Sequence, residues 1–224
     1  MELPYKGINF VVKDAVSKQP ISEGREEILS ENGFMTKKTT YWLAGDAQKK
    51  LIQEETCSFE LNSLRPRYYK FQNFRTGEFV SLSGASVDSF AEKLDYRDSS
   101  TKPELTVAFK WQPDTVFGKT LHHLIVRAWD KLIKDQHQSF PLYVPMKRDQ
   151  YMFRVVRKSD AQKSISIISL EPDNWAFRQL APAMLFYYEE RNKIPTLVRY
   201  EGPTTVDIDN KPDRKVLIEF GYES

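Results

Sequence analysis

The chain has 224 residues, of which 40% are hydrophobic and 13% aromatic, a composition that can fill a large core and excludes a disordered chain. Its 33 Lys and Arg residues against 31 Asp and Glu residues give a formal charge of +2, without the basic excess of a dedicated nucleic-acid binder. Because β-rich chains of this length are routinely single domains, we predict one domain over residues 1–224.

The first half of the chain is predicted to be a series of antiparallel strands. Apolar and polar residues alternate with period two, and turns containing Gly, Asn or Asp separate the segments. Short turns favour antiparallel pairing because parallel pairing needs a long crossover each time. The strand-like segments here are Tyr5–Val12, Arg25–Leu29, Gly33–Leu43, Leu51–Leu61, Tyr68–Arg75, Phe79–Leu82, Phe90–Tyr96 and Leu105–Trp111.

Cys57 is the only cysteine, so the chain cannot form an intramolecular disulfide. It shares strand parity with Phe59 and Leu61 and is predicted to be a small buried hydrophobe. The alternative is a reactive thiol, but no cation near it in sequence argues for a lowered pKa.

Thr115–Lys134 is predicted to be one long amphipathic helix, with Asp114 or Thr115 as its N-cap. Its apolar residues recur at the spacing of a single helical face. Such a stripe needs a sheet to cover it, and the strands on either side supply one. The residues of the stripe are Leu121, Leu124, Ile125, Ala128, Trp129 and Leu132.

Strand patterning resumes after the helix. The fold is therefore predicted to be mostly β, a curved antiparallel sheet or half-barrel of about ten strands with the helix on its concave face. The later strand-like segments are Gln138–Val144, Tyr151–Val156, Ser164–Leu170, Trp175–Leu180, Met184–Glu189, Pro195–Glu201 and Val216–Tyr222.

No motif points to a catalytic residue, a metal site or a cofactor. His122 and His123 are adjacent on the predicted helix and point about 100° apart, so they are interpreted as solvated residues on its flank. Asp207–Asn210 lacks the glycine and closing glutamate of a calcium loop and is interpreted as a charged hairpin turn. An enzyme of unrecognised type would need polar side chains such as His122, Asp130 or Glu171 to converge in a cavity.

Two segments are rich in lysine and arginine. Arg65–Arg75 interleaves basic and aromatic residues, which can bind single-stranded nucleic acid, but the balanced charge argues against a nucleic-acid partner. The second segment is a basic cluster on one predicted hairpin. It is interpreted as a solvated sheet edge, with contact to an anionic lipid headgroup as the alternative. It contains Lys147, Arg148, Arg154, Arg157, Lys158 and Lys163.

The sequence shows no apolar run long enough for a transmembrane segment. Its beginning, Met1–Phe10, shows no basic region followed by an apolar stretch, so no signal peptide is visible. The predicted location is periplasmic if a signal peptide has been removed, and cytoplasmic otherwise.

The aromatic residues offer the remaining functional signal. Trp42, Trp111, Trp129 and Trp175 lie on four separate elements, which is typical of core packing. The alternative is an apolar groove between the helix and a curved sheet, where hydrophobic ligands bind. The candidate ligand-binding residues are Trp111, Phe117, Trp129 and Tyr143.

In element order and in three segments, Gly118–Val155, Ile194–Gly202 and Lys215–Phe220, the sequence resembles Gram-negative envelope proteins of unknown function with a half-barrel like that of the lipoprotein carriers. The resemblance implies a bent sheet around a helix, no enzyme activity, an envelope location and a concave apolar surface for acyl chains.

The sequence thus predicts a non-enzymatic binding or carrier protein for a hydrophobic, lipid-like ligand in the cell envelope. The alternative is a structural or protein-interaction module of the envelope, with a protein partner and no small-molecule ligand.

Overall fold

The computed structural model describes residues 6–83, 91–110, 112, 114–158, 165–179, 181–182, 184–204 and 214–223. Its strands form one curved sheet with fifteen members, ordered β8 to β1 and then β15 to β9. The strands of the first half are β1 Gly7–Asp14, β2 Pro20–Glu31, β3 Phe34–Leu43, β4 Leu51–Glu60, β5 Pro66–Asn73, β6 Phe79–Ser83, β7 Ala91–Arg97 and β8 Leu105–Lys110.

The second half of the chain contains the helices and the remaining strands. All strand pairs are antiparallel apart from the short β9, which pairs parallel with β10. The elements are β9 Val116–Phe117, α1 Leu121–Arg127, α2 Trp129–Leu132, β10 Gln138–Val144, β11 Asp149–Lys158, β12 Ile165–Pro172, α3 Trp175–Arg178, β13 Met184–Arg191, β14 Ile194–Pro203 and β15 Lys215–Glu223, with 3₁₀ turns at Gly118–Thr120 and Pro145–Lys147.

The chain length between the two sheet edges forces the sheet to curve. Its edge strands, β8 and β9, are joined by the segment from Lys110 to Val116, which cannot span more than about 21 Å. A flat sheet of this many strands would be roughly 67 Å wide at the usual strand spacing. The edges must therefore lie close together, and the sheet rolls up.

The β9–β10 edge lies inside this roll. Tyr143 belongs to a core cluster with residues of β3–β7, whereas its neighbour Leu142 packs with residues of β11 and β12. Four successive residues of β10, from 140 to 143, are buried. Such a run indicates a strand that is covered on both faces.

The predicted helix exists but is shorter and interrupted. Leu121, Ile125, Ala128 and Leu132 of its apolar stripe are buried, as predicted, and Leu124 and Trp129 are partly buried. The prediction of one helix over 115–134 is wrong, because Val116 and Phe117 pair with β10 instead of entering the helix.

Two backbone features account for the short helices. Ala128 has a ψ of 2°, which ends α1 before α2 begins. The residue at the N-cap of α1 is Thr120, so the predicted caps Asp114 and Thr115 are also wrong. Asp114 has a φ of 61°, a left-handed conformation that does not continue into a helix.

The helical segment lies on the concave side of the sheet, as predicted. The His123 ring is 5.1 Å from the ring of Phe59 on β4. His122 Nδ1 lies 3.0 Å from the hydroxyl of Tyr188 on β13. Because β4 and β13 are far apart in the sheet order, α1 must occupy the space that the rolled sheet encloses.

Other predictions also differ from the structure. The count of about ten strands is too low, because all the strand-like segments apart from Trp175–Leu180 join the sheet, together with the short β9. Trp175–Leu180 was predicted to be a strand, but α3 occupies Trp175–Arg178, where Asn174 accepts a hydrogen bond from the Ala176 amide and caps the helix. Cys57 is fully buried, as predicted, and burial raises the pKa of its thiol to about 12.

Candidate functional site

The rolled sheet contains a partly open cavity of about 550 Å³. Apolar side chains from many strands form most of its lining, since the inward positions of each strand carry them. They include Ile8 and Phe10 of β1, Phe186 of β13, Leu197 of β14, and Ile218 and Phe220 of β15. This is the size and character of a typical small-molecule site.

A group of charged side chains, here called the ion cluster, lies on one wall of this apolar cavity. It consists of Glu26, Lys37, Glu55 and Lys119, and all four line the cavity. Their side chains are only 6–15% exposed. Ionised groups that are this buried need partners, because burial without compensation is costly.

Strand register brings the ion cluster together. Glu26 on β2 lies opposite Thr39 on β3, and Thr39 lies opposite Glu55 on β4. Lys37 is two residues before Thr39 and so points to the same face. Lys119 comes from the 3₁₀ turn that precedes α1, so the ion cluster joins the sheet to the start of the helix.

Lys119 is the most fully bonded member of the ion cluster. Its Nζ donates to Thr39 Oγ1 at 2.7 Å and lies 3.2 Å from Glu26 Oε2 and 3.0 Å from Glu55 Oε2. The Thr39 hydroxyl donates in turn to Glu26 Oε2 at 3.0 Å. Lys37 Nζ lies 3.4 Å from the other oxygen of Glu26.

These contacts keep the ion cluster charged. Burial would raise the pKa of Glu26, but the charges of Lys37 and Lys119, with the hydrogen bond from Thr39, lower that pKa to about 2. Burial would lower the pKa of Lys119, but Glu55 and Glu26 hold it well above its usual value. At neutral pH both groups are therefore ionised.

Two tyrosines complete the polar wall. Burial raises the pKa of Tyr41 to about 12, and burial together with Glu55 raises the pKa of Tyr69 well above its ordinary value. Both phenols are therefore neutral and can donate a hydrogen bond. The Tyr69 ring also packs against Phe117 at a centroid distance of 4.4 Å.

The adjacent histidines are partly buried and pack against aromatic rings, which corrects the prediction that they are solvated. His122 stacks on Tyr188 and lines the cavity, and His123 packs on Phe59. Burial and the charge of Lys37 lower the pKa of His122 to about 3 and that of His123 to about 2. Both imidazoles are neutral at physiological pH.

The four predicted ligand-binding residues have different positions. Phe117 and Tyr143 line the cavity. Their rings stack at 6.0 Å. Trp129 packs against Tyr188 at 5.4 Å and is not among the described lining residues. Trp111 lies outside the described residues. The structure therefore brings Phe117 and Tyr143 together and places Trp129 against Tyr188, outside the described lining.

The polar residues considered for an enzyme do not converge. His122 faces the cavity, Asp130 is exposed, and Glu171 forms ion pairs with Arg154 and Lys158. In the described part of the chain, no group of three His, Cys, Asp or Glu residues has a metal-binding arrangement. Asp207–Asn210 lies outside the described residues.

The charged segments form ordinary sheet surfaces where they are described. Tyr69 and Phe71 of Arg65–Arg75 point inward and are buried, while Arg67 and Lys70 are exposed. In the second segment, Arg154 and Lys158 are occupied by Glu171. Lys163 lies outside the described residues. Among the described helices, none has the length and apolar character that a bilayer crossing requires.

Comparison with known proteins supports the fold alone. No protein-family model matches the sequence, and no curated protein matches it. The structure is similar to the crystal structure of a β-barrel-like protein of domain of unknown function DUF1849 from Brucella abortus, with a TM-score of 0.52 and 9% identity over 97% of each chain. The chain thus has a β-barrel-like fold, and the likeness to lipoprotein carriers stays a prediction.

Proposed function

We propose that the protein is a non-enzymatic binding or carrier protein for a hydrophobic, lipid-like ligand, which it holds in the cavity inside the rolled sheet. The observation that carries the proposal is the apolar cavity of about 550 Å³, lined by inward residues of many strands. Phe117 and Tyr143, which are 2% and 1% exposed, support the wall of this cavity at the inner edge of the sheet.

The energetics of the cavity support an apolar occupant. An occupant that covers the apolar side chains of the lining removes them from water, which is favourable by about 25 cal/mol per Å² of apolar surface. Buried water needs several polar partners, which the apolar part of the lining does not offer. An alkyl chain satisfies this surface better than water does.

Narrowing the cavity is expected to weaken ligand binding. Ile218 lines the cavity from β15, so Ile218→Trp places a large ring in the ligand volume. We expect the dissociation constant of a fluorescent fatty-acid probe to rise at least about tenfold, the equivalent of about 1.4 kcal/mol. Probe titration measures this, with native mass spectrometry of the wild-type protein to detect bound lipid.

The matched control is Leu29→Trp, which adds the same ring at an exposed residue of β2. This variant should bind the probe like the wild type. Equal binding by the wild type and by Ile218→Trp would contradict the proposed cavity, and absence of binding by the wild type would contradict the proposed function.

We also propose the envelope as the location of the protein. The support for this is the resemblance of Gly118–Val155, Ile194–Gly202 and Lys215–Phe220 to envelope proteins. Fractionation of cells that express the native gene tests this. Recovery in the cytoplasm would contradict it.

A second candidate function is a structural or protein-interaction module of the envelope. It is favoured by an exposed aromatic surface on α3, where Trp175 is 69% and Phe177 is 63% exposed. Large exposed apolar groups in a cluster are typical of interaction sites. The double variant Trp175→Ala/Phe177→Ala should lose a stoichiometric protein partner in pull-downs while it retains probe binding. Recovery of the same partner by both proteins would contradict this role.

A further inference from the structure

The four charges of the ion cluster balance one another. Glu26 and Glu55 contribute two carboxylates to the ion cluster, and Lys37 and Lys119 contribute two ammonium groups. A third carboxylate, Glu78, is also part of the cavity lining. The described lining therefore has no positive excess that would attract an anion, although it has polar groups on an otherwise apolar wall.

Lys37 retains hydrogen-bonding capacity toward the cavity. An ammonium group has three N–H donors. Within the described residues, Lys37 Nζ forms an ion pair with Glu26 Oε1 at 3.4 Å, and the lysine side chain is only 6% exposed. Lys119, by contrast, directs its ammonium group at three oxygens. A ligand oxygen beside Lys37 would thus gain a donor that is already desolvated.

We propose that the ion cluster selects amphiphiles whose head is uncharged and accepts hydrogen bonds, such as a hydroxyl or an ester, over the same chain ending in a carboxylate or an ammonium group. This inference rests on the proposed function, because it assigns the ligand class of the same cavity. The head lies against Lys37 and the Tyr41 phenol, and the alkyl chain extends along the apolar lining of β13–β15.

Burial cost explains the selection. Moving an ion into a poorly solvated site is expensive unless a new opposite charge meets it. The charges of Lys37 and Lys119 are already matched by Glu26 and Glu55, so a carboxylate head would add an unmatched charge. An ammonium head would likewise meet carboxylates of the ion cluster that are already paired with lysines. A hydroxyl or ester oxygen accepts from Lys37 without changing the balance. The neutral head therefore avoids the cost that the charged heads incur.

Competition between ligands of equal chain length tests this selection. Monolauroylglycerol, laurate and dodecylamine are each used to displace a fluorescent probe at pH 7.5, where laurate is ionised and the amine is protonated. We expect monolauroylglycerol to bind at least about tenfold more tightly than the other two, a difference in binding free energy of about 1.4 kcal/mol. Equal or tighter binding of laurate or dodecylamine overturns the inference but leaves the proposed function standing. Failure of all three ligands to bind overturns both.

Charge variants test the role of the ion cluster itself. Glu26→Gln removes one carboxylate and gives the ion cluster a positive excess, so it should shift the preference toward laurate by at least about tenfold. Lys37→Met has the opposite effect and should shift the preference toward dodecylamine.

Glu171→Gln is the control, because Glu171 pairs with Arg154 and Lys158 and does not line the cavity. Circular dichroism and thermal melts identify the variants that fold, and one folded cluster variant suffices. An unchanged preference in such a variant overturns the inference.

Discussion

Replacing Lys119 by methionine is expected to lower the free energy of unfolding by about 3–5 kcal/mol, the cost typical of breaking a buried ion pair. Lys119 joins two carboxylates, at 3.2 Å from Glu26 and 3.0 Å from Glu55. Methionine matches the length of the alkyl stem but leaves both carboxylates in a cavity wall with fewer partners. Urea denaturation at pH 7.5 measures the change in the free energy of unfolding.

Two comparisons isolate the buried charge as the cause. Lys38→Met removes the ion pair between Lys38 and Glu54, whose side chains are 47% and 31% exposed, and should cost at most about 1 kcal/mol. Adding Glu26→Gln to Lys119→Met should recover part of the lost stability, because much of the cost is the penalty of the carboxylate left without its partner. Equal losses for Lys119→Met and Lys38→Met would contradict the importance of the ion cluster.

The connection between the ion cluster and the helix has a structural consequence. Lys119 lies between β9 and α1, so its contacts with Glu26 and Glu55 fix the start of the helical segment against β2 and β4. The apolar stripe of α1 and α2 packs against the opposite wall, with Val155 of β11 and Ile168 of β12. The helical segment thus holds two walls of the roll at the separation that leaves the cavity between them.

Local patterns predicted much of the fold. Alternation and turn residues placed most strands near their observed positions, because inward and outward positions of a half-buried strand differ in polarity. The helical stripe was predicted for the same reason, since one face of α1 and α2 meets the core. The roll itself depends on the order of strands, which brings β1 beside β15. That pairing brings together two strands that are distant in sequence, so no short stretch of sequence could have predicted it.

The ion cluster was missed, although one signal for it exists. Gln53 and Glu55 share strand parity with Cys57 and Phe59, which the sequence analysis placed on the buried face. Lys37 similarly lies between Met35 and Tyr41 on the inward face of β3. Charged residues at inward positions on two strands indicate a buried polar site. Lys119 had no such signal, because its position depends on the helix docking inside the roll.

The sequence prediction failed differently at Trp175 and Phe177, which were assigned to a strand but lie exposed on a short helix. Apolar residues at 175 and 177 have the spacing of a strand, and aromatic residues are usually buried. The helix cap at Asn174 and the turn that follows β12 place them on the surface instead. The alternation therefore could not separate a short helix from a strand over so few residues.

Acidification from pH 7.5 to pH 5 is expected to destabilise the protein well before its carboxylates titrate. His122 and His123 have an ordinary pKa of 6.5, which falls to about 3 and about 2 in the folded protein because of burial. Their neutral forms contribute stability that is fully present above pH 6.5. As the pH falls below that value, the unfolded chain binds protons that the folded protein excludes, and the stability is lost.

The size of this effect follows from the number of protons that the unfolded chain binds and the folded protein does not. Each histidine contributes up to about 1.36 kcal/mol per pH unit, so the two together give a slope of up to about 2.7 kcal/mol per unit between pH 6 and pH 4. Glu26 adds to the slope in the same direction below pH 4.5, where its unfolded form begins to bind protons while its folded pKa is about 2. Urea denaturation at a series of pH values measures the slope.

Histidine variants separate these contributions above pH 5. The double variant His122→Gln/His123→Leu should have a nearly flat stability between pH 7 and pH 5, whatever its absolute stability. His137→Gln changes an exposed histidine and should retain the slope of the wild type. If the double variant loses stability with acid as steeply as the wild type, the neutral buried histidines are not the cause. A flat profile would establish that the interior of the roll keeps the imidazoles of His122 and His123 neutral.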